Sequence, residues 1–152
     1  MEIERKFLPS ALPPEVLSSP SKRLSQCYIS TSPTIRIRQS DEDYILTVKG
    51  KGLLAREEWE LPLTKEEYLH LLPKAETAAV EKRRYFYPLP DGLTAEVDVY
   101  EGVLAGLMTV EVEFSSLEEA QRFLPPAWFG PDITSDVRYT NSALAKAGQV
   151  PK

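Results

Sequence analysis

Met1-Glu2-Ile3-Glu4-Arg5-Lys6-Phe7-Leu8 opens the chain, with Glu2, Glu4 and Lys6 at alternate positions and Ile3 and Phe7 between them. Successive side chains of a β-strand point to opposite faces. The stretch therefore predicts a strand with charge on one side and apolar groups on the other. The same spacing returns further along. Arg36 and Arg38 bracket Ile37, Thr47 and Lys49 bracket Val48, and Glu58 and Glu60 bracket Trp59. Lys82 and Arg84 follow Val80, Glu96 and Asp98 bracket Val97, and Glu111 and Glu113 bracket Val112. A charged face turned to water would make a sandwich or meander. The same face turned inward by closure would make a charged tunnel.

The like-charged doublets favour closure. A solvated sheet face gains only about 0.2–1 kcal/mol from each cross-strand ion pair, and like charges two apart on a strand repel. Four acidic pairs set against three basic groupings call for a ligand that needs both signs. Carboxylates without a cysteine or histidine cluster suit a hard cation such as Mg²⁺ or Mn²⁺. Arg and Lys suit phosphate oxygens. Together they describe a metal-bound polyphosphate and the chemistry of phosphoryl transfer.

Composition sets the outer bounds. At 152 residues the chain is expected to be a single domain, 1–152. Its net charge of −5 argues against a nucleic-acid partner held by a broad basic surface. The lone Cys27 excludes an internal disulfide and reads as a small core residue. No apolar run is long enough for a membrane span or a signal peptide, so a cytoplasmic protein is expected.

Further strands are expected over 23–29, 34–39, 44–49, 56–63, 78–88, 93–100 and 107–114, separated by turn residues such as Ser40-Asp41-Glu42-Asp43 and Pro90-Asp91-Gly92. Thr64 and Glu67 form a capping-box pattern for a helix that Pro73 ends, and Ser116 with Glu119 repeats it. A last helix is expected over 141–147, capped by Asn141 and closed by Gly148. The class is α+β, with about eight antiparallel strands. Trp59 is expected to pack against the outer helices.

Taken in order, these segments resemble the CYTH superfamily, the triphosphate tunnel metalloenzymes. Glu2-Ile3-Glu4-Arg5-Lys6 matches its ExExK pattern, and matching segments follow to Asp136-Val137-Arg138-Tyr139-Thr140-Asn141. The resemblance implies an eight-stranded antiparallel closed barrel forming a charged tunnel, with short helices outside. It implies metal carboxylates at Glu2, Glu4, Glu58, Glu60, Glu96, Asp98, Glu111 and Glu113. It implies phosphate contacts at Lys6, Arg36, Arg38, Lys49, Lys82, Arg84 and Arg138, with Glu4, Lys6 and Lys49 nearest the catalytic step. The leading expectation is hydrolysis of inorganic triphosphate to pyrophosphate and phosphate, with Mg²⁺ or Mn²⁺ as cofactor. Two alternatives stand beside it: an organic triphosphate enzyme (thiamine triphosphatase or class IV adenylate cyclase), or a non-catalytic binder of polyphosphate or nucleotide. Thiamine would need an aromatic platform at the tunnel mouth, for which Trp128-Phe129 is the candidate. The expected partner is a small triphosphate, with no nucleic acid or membrane; a homodimer is left open.

Overall fold

A computed structural model describes residues 1–152. Nine strands are present: β1 (Glu2–Phe7), β2 (Ser21–Thr31), β3 (Thr34–Ser40), β4 (Asp43–Lys49), β5 (Ala55–Arg56), β6 (Glu58–Leu63), β7 (Val80–Pro88), β8 (Thr94–Tyr100) and β9 (Met108–Glu113). They pair antiparallel in the order β5-β1-β9-β8-β7-β2-β3-β4-β6 and curl into a nearly closed barrel. Three short helices, α1 (Lys65–Leu71), α2 (Leu117–Arg122) and α3 (Asn141–Ala147), complete the chain. No helix is long and apolar enough to cross a membrane.

The strand count differs from eight for a local reason. The stretch expected as one strand over 56–63 breaks at Glu57: β5 pairs with β1, and β6 pairs with β4. These are the two ends of the sheet, so one residue joins them and the ring closes through the backbone itself. Gly50 N–H donates to the Glu57 carbonyl at 2.8 Å and fastens the break to the β4 side. Pro62 is tolerated in β6 because that strand has a neighbour on one side only.

Side chains on the outer face form two packed layers. Ile3, Phe7, Val97, Val110 and Val112 meet Ala120 of α2 and Phe129, with the Phe7 and Phe129 rings 5.0 Å apart. Cys27 and Ile37 meet Tyr68 of α1, which also stacks on Tyr44 with ring centres 4.9 Å apart. A third cluster lies inside the barrel. Tyr28, Val80 and Tyr100 share the strand faces of Gln26, Lys82 and Asp98, and they pack against Leu144 and Ala145 of α3. That end of the barrel is stoppered.

The α1 capping box forms as expected, with Thr64 and Glu67 exchanging both hydrogen bonds. In α2 only half forms: Glu119 N–H donates to Ser116 Oγ, but the Glu119 carboxylate accepts from Ser115 instead. Thr140, not Asn141, caps α3, so Asn141 is freed to face the barrel interior. Trp59, expected in the core, stands 56% exposed on β6, because α1 reaches only the Tyr44–Leu63 end of that face.

Gly130 has φ 73° and ψ −159°, a region that is essentially glycine-only. A Cβ there would run into the Leu8 carbonyl oxygen. Gly130→Ala should therefore cost about 2 kcal/mol or more. Thermal unfolding should show a fall of roughly 4–8 °C for a chain of this size.

Candidate active site

Closure turns the alternating charge of β1 inward, while Ile3 and Phe7 join the outer core. The result is a cavity of about 190 Å³ lined by twelve residues, none of them hydrophobic. Seven are carboxylates (Glu2, Glu4, Glu58, Glu60, Glu96, Glu111 and Glu113) and four are cations (Arg36, Arg38, Lys49 and Arg84); Asn141 is the twelfth. Eleven of the residues singled out in the sequence thus share one wall.

The other four lie elsewhere. Lys6 faces a smaller adjoining pocket that shares Glu4 and Asn141 with the main cavity. Its ammonium donates to the Tyr139 carbonyl at 2.6 Å and lies 3.5 Å from the Glu111 carboxylate. Lys82 and Asp98 are wholly buried beneath the cavity and paired at 2.6 Å. Arg84 completes the group with a two-pronged contact to Asp98 at 2.8 and 3.0 Å. Asp98, expected at the metal, does not line the cavity, and both its oxygens are taken by protein cations. Burial works to raise its pKa, but Arg84 and Lys82 outweigh that and hold it at about 2. Lys82 is pushed down to about 7 by burial, opposed by Asp98, whose single charge it shares with Arg84. Arg138, expected as a phosphate contact, lies outside the cavity wall. It is exposed, bonding Asp136 at 2.7 Å and the Lys152 carbonyl at 2.9 Å.

Within the cavity two of the four cations rest on acids. Lys49 reaches Glu2 at 2.9 Å and Glu58 at 3.5 Å, and Arg84 reaches Glu96 at 3.6 Å. Arg36 and Arg38 meet neutral groups instead, Thr47 at 3.2 Å and Gln26 at 2.7 Å. Burial, then repulsion from Arg36 and Arg84, lowers Arg38 to about 9. Buried Arg36 and half-buried Arg38, both without an anionic partner, mark where an anion would bind.

The carboxylates show the converse. Glu4 is pushed well above the usual carboxylate range, first by burial and then by Glu111 and Glu2. Burial and a hydrogen bond with Glu2 raise Glu58 to about 7. Glu111 Oε1 is buried without a hydrogen-bond partner; Lys6 is within ion-pair range of it but not bonded. Acids that must share protons in this way fit a divalent cation of hard oxygen preference. They stand in pairs, not as a preformed group of three.

Asn141 in the wall, and Gln26 and Tyr100 behind it, were not anticipated. Hairpin register supplies the missing signal for Gln26, since β2 and β3 pair Gln26 with Arg38 directly. Tyr100, 5.1 Å from the Lys82 ammonium, could have been read from its period with Asp98. Asn141 depends on where Thr140 starts α3, which spacing leaves open.

The CYTH domain family model matches residues 1–124. The chain is 45% identical over 147 residues to the inorganic triphosphatase of Nitrosomonas europaea, spanning 95% of this chain and 96% of that one. It is 34% identical over 153 residues to the inorganic triphosphatase of Acetivibrio thermocellus, spanning 95% and 93%. The crystal structure of the inorganic triphosphatase NE1496 superposes with a TM-score of 0.70 at 39% identity, covering 100% of this chain and 97% of that one.

Two measurements follow from the electrostatics. Asp98→Asn leaves Lys82 without its paired carboxylate and Arg84 with Glu96 alone, and should destabilise by about 3–5 kcal/mol in denaturant unfolding. The second concerns pH. A carboxyl raised in the folded state still carries a proton that the unfolded chain has lost, so stability falls as pH rises through that window. With Glu4 raised and Glu58 at about 7, the melting temperature in EDTA should fall between about pH 5 and 7. Added Mg²⁺ should flatten that slope by holding the carboxylates ionised.

Proposed function

Because the chain belongs to the CYTH domain family, we propose that it is a divalent-metal-dependent hydrolase that splits inorganic triphosphate into pyrophosphate and phosphate inside the barrel. The observation that carries this is the all-polar cavity, in which acids cluster around Glu2, Glu4 and Glu111 while Arg36 and Arg38 lack acidic partners. The inorganic triphosphatases to which the chain is similar support the choice of substrate.

Glu2, Glu4, Glu58, Glu111 and Glu113 would hold Mg²⁺ or Mn²⁺, with Glu60 and Glu96 bound directly or through water. When bound, the cation supplies charge neutralisation at the phosphate oxygens and Lewis acidity at the reacting phosphorus. Arg36, Arg38 and Arg84 would grip the non-bridging oxygens and take up the charge that shifts to the leaving group. Lys49, fixed on Glu2, and Lys6, fixed on the Tyr139 carbonyl, would position the attacking water. Water adds to a terminal phosphorus, the bond from that phosphorus to the bridging oxygen breaks, and pyrophosphate departs. Lys82 would act from below, keeping Asp98 and hence Arg84 in place.

The wall disfavours an organic substrate. Trp128, the candidate stacking platform, packs outside the barrel between Phe129 and Tyr87, with ring centres 4.7 and 6.1 Å away. The proposed partner is therefore a small triphosphate, and the proposed setting is the cytoplasm.

Phosphate release from inorganic triphosphate, ATP, thiamine triphosphate and pyrophosphate, each with Mg²⁺, Mn²⁺ or EDTA, tests the proposal. Metal-dependent turnover of inorganic triphosphate above the others is expected; preference for an organic triphosphate, or no turnover of any, overturns it. Glu4→Gln should lower kcat about 100-fold or more while the protein stays folded. Arg38→Ala should act mainly on KM, raising it by about tenfold or more.

A further inference from the structure

Gln26 is fully buried on β2, directly opposite Arg38 on β3. Its Oε1 accepts the Arg38 Nε–H at 2.7 Å. The amide can be oriented in only one way, because a guanidinium only donates and Gln26 must present its oxygen. The amide nitrogen is then left buried without a partner. Its other cross-strand neighbour, Val80, offers no acceptor side chain. A leucine of similar volume would avoid that unsatisfied group. What the amide contributes in exchange is its oxygen on Arg38.

The other cations in and beneath the wall show why neutrality matters. Lys49, Lys82 and Arg84 each rest on a carboxylate, which fixes them but cancels much of their charge. Gln26 fixes Arg38 through Nε alone, leaving its charge uncancelled and both terminal NH₂ groups available. Thr47 does the same for Arg36, with Oγ1 accepting from a terminal guanidinium nitrogen at 3.2 Å. Resting on the proposed triphosphate chemistry, we infer that Gln26 is a positioning residue for the substrate: it aims the Arg38 guanidinium at the phosphate without neutralising it. Gln26 does not line the cavity, so it acts through Arg38 and not by touching the ligand.

Kinetics with inorganic triphosphate and calorimetric titration of inorganic triphosphate with Mg²⁺ test this on Gln26→Leu, Gln26→Glu, Arg38→Ala and the Gln26→Leu/Arg38→Ala double variant. Gln26→Glu should raise KM and Kd by about tenfold or more, because a carboxylate would pair with Arg38, while the melting temperature holds or rises. Gln26→Leu should raise KM by roughly three- to tenfold with kcat changed less than about twofold, and its effect should vanish in the Arg38→Ala background. A purely structural amide would give a lower melting temperature with KM and Kd unmoved, and that result overturns the inference. So does a Gln26→Leu effect that persists undiminished without Arg38. If Gln26→Glu does not fold, the cycle between Gln26→Leu and Arg38→Ala decides alone. Wild-type protein that binds inorganic triphosphate without hydrolysing it would count against the proposed reaction, while the same variants still decide the role of Gln26 by their Kd.

Discussion

A buried carboxylate beside another buried carboxylate cannot stay fully ionised unless something positive is placed between them. Glu4 against Glu111 and Glu2 against Glu58 put the barrel under that constraint. The fold supplies Lys49 and Lys6 as partial answers and leaves the remainder to a cation. On the other side, Arg36 and Arg38 lack the anion that would satisfy them. The interior is thus held in two unsatisfied halves by a rigid outer shell of apolar packing. A metal-bound polyphosphate satisfies both halves at once, which is why the pattern of charge says more about function than any single residue does.

The group under the cavity has a different task. Lys82 and Arg84 share the one charge of Asp98, and the group sits against Tyr100 and the apolar stopper of α3. A buried ion cluster of this kind adds little net stability, but removing one member is costly. It gives the cavity a stiff base from which Arg84 projects toward Glu96.

Much of this was legible in the sequence because strand period is rigid. Once Glu2, Glu4 and Lys6 shared a face, every strand with period-two charge declared its own inner side, and the expected strands are present to within two residues at each end, save that 56–63 divides at Glu57. What period cannot give is depth. Asp98 and Glu96 look alike in the sequence, yet one is sealed against Lys82 and the other lines the cavity. Arg138 lies apart from the wall for another reason: it is on a 3₁₀ turn, Val137–Tyr139, where no strand alternation aims the side chain. Gln26 was missed because neutral residues carry no pattern of their own and are found only by register.

The break at Glu57 bears on the mechanics of the barrel. Where hydrogen-bonded strands complete a ring, its girth can change only by shearing or unzipping a ladder. Here the last join is a single residue, which can span no more than about 3.6 Å. At that point the circumference is fixed as by a rivet. Beyond it β6 has a strand on one side only, and its far end near Leu63 is held by its pairing with Tyr44 and by α1. The barrel is therefore a clasp pinned at one corner, and the pin sits beside the ladder that carries Glu2, Glu4 and Lys6.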